Sequence, residues 1–140
     1  MSKRILFVDD EDWSVSPYFE ILQDQEIEVD LAEDGDKAIG FLRKNPYDLI
    51  VLDVMFAPGT IMGDNVEPRK AGSTLLSKIR NKKISGVQTK SDIPVLVLTA
   101  VTDQKLLNDI REMKIAELCR KPAAFEQVID KVSRILGVKQ

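Results

Sequence analysis

Ile5-Leu6-Phe7-Val8-Asp9-Asp10-Glu11-Asp12 sets four apolar residues directly against four acids. An uninterrupted apolar run of this length suits a strand buried on both faces, as in a parallel sheet covered by helices. The pattern recurs in Leu49-Ile50-Val51-Leu52, which runs into Asp53, and in Val95-Leu96-Val97-Leu98, which runs into Thr99. Glu26-Ile27-Glu28-Val29-Asp30-Leu31 alternates polar and apolar residues instead, so it reads as a half-exposed strand at a sheet edge. Ala116-Glu117-Leu118-Cys119 is a weaker fifth strand.

Helical spacing fills the intervals. Val15, Tyr18, Phe19 and Leu22 mark a first helix, with Pro17 expected in its first turn, where proline is tolerated. Ala38, Ile39 and Leu42 mark a second, opened by Asp34-Gly35-Asp36 and closed by Asn45-Pro46. Leu75, Leu76 and Ile79 give a third, and Leu106, Leu107, Ile110 and Met113 a fourth. Phe125, Val128, Ile129, Val132, Ile135 and Leu136 keep one apolar face until Gly137. Strands alternating with helices predict an α/β domain with right-handed crossovers. Two connections, at about 56–71 and 81–93, exceed ordinary turns, and loops of that size are more often functional or mobile than accidental.

Composition narrows the chemistry. The 140 residues, 44% hydrophobic and 31% charged, fit one compact domain spanning 1–140. With 23 acidic and 20 basic residues the formal charge is only −3, which argues against direct nucleic-acid binding. There is no histidine, which removes the usual zinc and haem ligands and the commonest general base. One cysteine, Cys119, excludes an internal disulfide; it reads as a buried apolar filler and suits a reducing compartment. The apolar run after Met1-Ser2-Lys3-Arg4 is too short for a membrane span or signal core, so a cytoplasmic location is expected.

Each buried strand ends in polar chemistry: Asp9 and Asp10 after the first, Asp53 after the third, Thr99 after the fourth, Arg120-Lys121-Pro122 after the fifth. Singly these have plainer readings, since an Asp or Thr after a strand is usually a helix cap. Jointly they converge where open parallel sheets bind ligands, outside the carboxyl ends at the strand-order reversal. Clustered carboxylates are hard ligands suited to Mg²⁺. A carboxylate beside such a metal can attack phosphorus, and a lysine and a hydroxyl can hold the phosphoryl oxygens.

The ordered set ILFVDDE, DLIVLDVM, VLVLTA and RKP resembles the receiver domain of bacterial two-component response regulators (the CheY-like family) across nearly the whole chain. The resemblance implies a flavodoxin-like fold: a doubly wound, five-stranded parallel sheet of order 2-1-3-4-5 with five helices. It implies that Asp53 is the phosphoacceptor and that Asp9, Asp10, Asp53 and the Met55 backbone carbonyl bind Mg²⁺. Thr99 is then the switch hydroxyl, Lys121 the partner of Asp53, and the Lys121-Pro122 bond cis. Phosphate arrives from a sensor histidine kinase or a histidine phosphotransfer protein. Output runs through a downstream protein or a homodimer on the face of helix 4, strand 5 and helix 5. No membrane contact and no turnover of an external substrate are implied.

The chain departs from that pattern in three places. Asp53 and Gly72 are 19 positions apart, where the family has a much shorter loop, and the extended segment is expected to be mobile. Leu118 stands where many members carry Tyr or Phe. Met55 and Val101 are apolar at positions often polar; unable to orient an attacking water, they predict a long-lived phosphoryl group. Trp13 is expected to pack from the first helix, close enough to report on metal binding. Lys82-Lys83 and Arg69-Lys70 read as solvated charge runs. Two other functions stay open: a phosphate-independent pseudo-receiver scaffold, and a phosphohydrolase of the haloacid dehalogenase type using Asp10-Glu11-Asp12. The second leaves Asp53 without a role.

Overall fold

The computed structural model describes residues 2–138. Five parallel strands, β1 (Lys3–Val8), β2 (Ile27–Ala32), β3 (Leu49–Leu52), β4 (Val95–Thr99) and β5 (Glu117–Arg120), form one sheet of order β2-β1-β3-β4-β5. Five helices alternate with them: α1 (Asp12–Asp24), α2 (Gly35–Lys44), α3 (Ala71–Arg80), α4 (Gln104–Arg111) and α5 (Phe125–Leu136). This is the flavodoxin-like architecture expected of a CheY-like chain.

Strand periodicity divides the core in two. Successive side chains point to opposite faces of a sheet, so Ile5 and Phe7 join one cluster while Leu6 and Val8 join the other. The first cluster is closed by Val15, Tyr18 and Leu22 of α1 and by Val128, Ile129 and Val132 of α5. The second is closed by α2, α3 and α4 through Ala38, Leu42, Leu75, Ile79, Leu107 and Ile110. Cys119 is buried with the α1–α5 layer, the filler role expected of it. From β2 the chain steps back over β1 to β3, so right-handed crossovers place α1 on one face and α2 to α4 on the other. The crevice at that reversal lies between the ends of β1 and β3.

Three expectations need correction. Helix α1 begins at Asp12, directly behind the acids, so Pro17 lies inside the helix and not in its first turn. Its ring nitrogen cannot donate to the carbonyl one turn earlier. Trp13 is 71% exposed instead of packed, because the second helical position faces away from the sheet while Val15, Tyr18 and Leu22 face it. The 56–71 segment is anchored, not loose. Phe56 and Met62 are buried in the core, Gly35 N donates to Ala57 O at 2.8 Å, and one Asp36 carboxylate oxygen accepts from both Thr60 N and Ile61 N at 2.9 Å. A short 3-10 turn, Pro68–Lys70, then leads into α3.

The 81–93 loop is fastened as firmly. The Thr89 hydroxyl accepts from Tyr47 N and donates to Asn45 O, each at 3.0 Å. Arg80 donates to the carbonyls of Ser91 and Ile93 at 2.8 Å and of Met113 at 2.9 Å.

Candidate functional site at the carboxyl end of the sheet

Three site residues stand one position beyond their strands, with the backbone still held by the neighbouring strand. Asp9 N donates to Ala32 O (3.0 Å), Asp53 N to Val8 O (2.9 Å) and Lys121 N to Thr99 O (2.9 Å). The sheet thereby fixes where these side chains start, which gives a reactive constellation the rigid support it needs.

Lys121 ties the site together. Its Nζ lies 2.8 Å from Asp9 Oδ2 and 3.2 Å from Asp53 Oδ2. The other Asp53 oxygen accepts from Val54 N at 2.6 Å, and the other Asp9 oxygen accepts from Glu11 N at 2.9 Å. Asp9 and Asp53 are buried, whereas Asp10 is exposed and Glu11 half-buried. Carboxylate oxygens of Asp9, Asp10, Glu11 and Asp53 all lie within 4.8 Å of one another. Four carboxylates facing one ammonium leave an excess of negative charge, and hard oxygen donors so placed suit a hard divalent cation.

The titration of the pair follows from this crowding. Burial, the largest influence, raises the Asp9 carboxyl above its ordinary value and Asp53 adds repulsion, both outweighing the bonds from Lys121 and Glu11 N. For Lys121 burial pulls the other way, but the bond to Asp9 and the field of Asp53 together raise the ammonium above its ordinary value. One ammonium shared by two carboxylates is held charged, while each carboxylate receives only part of its compensation.

Thr99 is fully buried at the end of β4, and its hydroxyl accepts from Val101 N at 3.1 Å. It does not cap α4; Asp103 does, accepting from Leu106 N. Met55 follows Asp53 by two residues and is half exposed, whereas Val101 packs against the core of the α2–α4 face. Lys121-Pro122 is cis. Gly72 reaches the site from the far end of the long loop: a Cβ there would lie 2.6 Å from Asp53 O, and Gly72 N donates to Val54 O at 2.9 Å. Only glycine allows α3 to start this close, so Gly72 occupies the place expected of it despite the 19 intervening steps.

Glu11 is the member of the acidic group that the motif did not single out. Its only sequence signal is its position in the run Asp9-Asp10-Glu11-Asp12, of which the last residue turns into α1. Beside the acids, a cavity of about 410 Å³ is lined by Asp9, Trp13, Tyr18, Leu98, Lys121 and Pro122. On its aromatic wall Tyr18 is stacked on Phe125 at a centroid distance of 4.4 Å.

A doubly wound sheet carrying a lysine-bridged acidic site at its strand-order reversal defines a class of α/β domain with an acidic crevice at the carboxyl end of its sheet. The model of the response regulator receiver domain matches residues 5–133, and the chain belongs to that family. It is 28% identical over 138 residues to the regulatory protein VanRB of Enterococcus faecalis, covering 97% of this chain and 53% of that one. It is 31% identical over 136 residues to the transcriptional regulatory protein RprY of Bacteroides fragilis, covering 95% of this chain and 49% of the relative. The chain thus spans about half the length of these two relatives. Among solved structures, a two-component response regulator from Clostridium difficile superposes with a TM-score of 0.75 at 26% identity, covering 97% of each chain. Among the described residues no helix is long and apolar enough to cross a membrane.

Proposed function

We propose that the chain is a Mg²⁺-dependent phosphoacceptor of a two-component or phosphorelay system, with Asp53 as the residue modified. The reading is carried by one observation above all: Lys121 Nζ bridging Asp9 and Asp53 inside a group of four carboxylates at the reversal point of the sheet. Asp9, Asp10 and Asp53, with the Met55 carbonyl, would hold Mg²⁺. The ion, when bound, supplies charge neutralisation for the acids and for incoming phosphoryl oxygens.

An Asp53 carboxylate oxygen attacks phosphorus of a phosphohistidine presented by a sensor kinase or a phosphotransfer protein. The P–N bond breaks and the electron pair returns to the imidazole, while the phosphoryl group becomes an acyl phosphate on Asp53. Lys121, held charged by its two carboxylates, neutralises a phosphoryl oxygen. Thr99, whose hydroxyl among the described residues bonds to the nearby Val101 amide, is the group that turns toward the new anion. These 140 residues hold no histidine, so the donor histidine lies outside them. The aromatic-walled cavity beside Lys121 offers that donor an apolar seat. Met55 and Val101 give an attacking water no polar handle, so the acyl phosphate is long-lived. The signal is read by a downstream protein or a second copy through α4, β5 and α5, in the cytoplasm and without turnover of an external substrate.

Incubation with Mg²⁺ and acetyl phosphate, followed by intact mass and Trp13 fluorescence, tests the reading. One added phosphoryl group in the native chain and none in Asp53→Asn supports it. No mass gain and no metal response of Trp13 would favour a phosphate-independent scaffold, and sustained release of phosphate from phosphomonoesters would favour a hydrolase.

A further inference from the structure

Charge is distributed unevenly along this chain. No Asp or Glu occurs between Glu67 and Asp92, although acids make up 23 of 140 residues. The same interval holds Arg69, Lys70, Lys78, Arg80, Lys82, Lys83 and Lys90, in a protein whose formal charge is −3. The fold gathers part of this excess around one cavity. At the amino end of the sheet, opposite Asp53, the end of α3 and the 81–93 loop border a cavity of about 540 Å³, lined by Lys78, Lys82 and Lys90 against a single acid, Asp92, together with the apolar Ile79, Ile84 and Val87. Among the described residues no ion pair involves these three lysines.

The backbone supplies an independent observation. Helix α3 ends in a paired closure, Lys82 N to Ile79 O at 3.3 Å and Lys83 N to Lys78 O at 2.8 Å. That closure needs a left-handed residue at its corner, the position glycine fills most readily. Here Lys82 takes it, at φ 56°. Glu26 after α1 and Lys114 after α4 take the same left-handed conformation, so the corner itself is a common helix ending here; at α3 it sets Lys82 on the wall of the cavity.

We propose that this cavity is a docking site for an acidic peptide segment of a partner protein, with an aliphatic or aromatic side chain on the apolar floor and carboxylates on the lysines. Charge complementarity fixes the sign of the occupant. The apolar floor asks for a hydrophobic anchor within a polar rim, the anatomy of a peptide or protein contact. A nucleic acid fits less well. No aromatic side chain lines the cavity to stack a base, and the Arg80 guanidinium is engaged by backbone carbonyls. The site lies away from the phosphoacceptor crevice and does not depend on it.

The test titrates the ¹⁵N-labelled full chain with a ten-residue peptide of alternating Glu and Leu, alongside its Gln-for-Glu counterpart and an oligo-dT strand. Amide shifts at residues 78–92, weakened by salt and reduced about ten-fold in affinity by Lys82→Glu with Lys90→Glu, are the expected result. Lys82→Gly is the second variant: it relieves the left-handed corner, so the melting temperature stays level or rises while peptide affinity falls several-fold. Shifts centred on Asp9, Asp53 or Lys121, equal binding of the Gln peptide, tighter binding of oligo-dT, or undiminished affinity in Lys82→Gly would each overturn the proposal.

Discussion

Lys121 and Arg80 are cations at opposite ends of the same sheet, both half removed from water, and they are paired in opposite ways. Lys121 meets two carboxylates, and their combined pull holds its ammonium above the ordinary value. Among the described residues Arg80 forms no ion pair; its guanidinium donates to the carbonyls of Ser91, Ile93, Met113 and Lys114, and burial lowers its pKa against the smaller opposing pull of Asp92. Dipoles stitched by a cation make structure, because four of the five guanidinium donors meet carbonyls and no like charges are forced together. Carboxylates crowded round a cation make a reactive site, because their repulsion is relieved only in part. The loops nearby differ as well: 81–93 is held largely by the side-chain donors Arg80 and Thr89, whereas 56–71 is held against α2 by the Gly35 backbone contact and the Asp36 carboxylate.

The largest expected effect is therefore at the end remote from the chemistry. Arg80→Ala strands four carbonyls, three of them at 2.9 Å or less, and should cost about 3 kcal/mol in urea denaturation. Arg80→Lys should recover less than half of the loss, since an ammonium cannot reproduce a planar fork of donors. Full stability in Arg80→Ala would erase the contrast between the two cations. Next comes the backbone-held loop. A Cβ at Gly35 would lie 2.1 Å from Pro58 O and 2.4 Å from the Met62 methyl carbon, so Gly35→Ala should destabilise by about 2 kcal/mol. It should also speed proteolysis within 56–71 while leaving 81–93 protected.

At the site itself the sign reverses. Asp9 is buried with its carboxyl raised, so its charged form opposes folding, and that opposition grows as pH rises through the folded-state pKa. Asp9→Asn should therefore raise stability at neutral pH, while weakening Mg²⁺ binding read from Trp13 fluorescence. A less stable Asp9→Asn would mean that Lys121 fully compensates the acids, and the contrast with Arg80 would lose its point.

What the residues disclosed in advance was the part with strong local pattern. Apolar runs of strand length located β1, β3 and β4, and the polar groups at or just beyond the ends of β1, β3, β4 and the weaker β5 located Asp9, Asp53, Thr99 and Lys121, because a strand end has one possible destination in an open sheet. The strand order came with the family resemblance, not with periodicity. What stayed illegible depends on contacts between segments far apart in the chain. Arg80 looks like any helix-end arginine until four carbonyls from two other connections surround it. The 56–71 segment looks mobile because its anchors, Gly35 and Asp36, belong to α2. Trp13 carries the signal of a core residue, yet the helix starts one residue before it and turns it outward.

The smallest effect concerns alkaline pH, and it isolates Lys121. A lysine whose folded-state pKa exceeds its unfolded value stabilises fully below the unfolded value of 10.5 and loses that contribution as pH rises through the folded one. Tyr18 and Tyr47 are also raised, both first by burial and Tyr47 further by its bond to Asp30, and buried phenols lose stability in the same direction. Wild type alone cannot separate these contributions, but the difference from Lys121→Met can, since the tyrosines are common to both. The stability gap should be level near neutrality and narrow as pH climbs past about 10.5, reaching a fraction of 1 kcal/mol per unit. Arg80→Ala should show no such narrowing, because a guanidinium stays protonated across the range. A parallel decline in all three proteins would show that Lys121 gains nothing from its two carboxylates in the folded state.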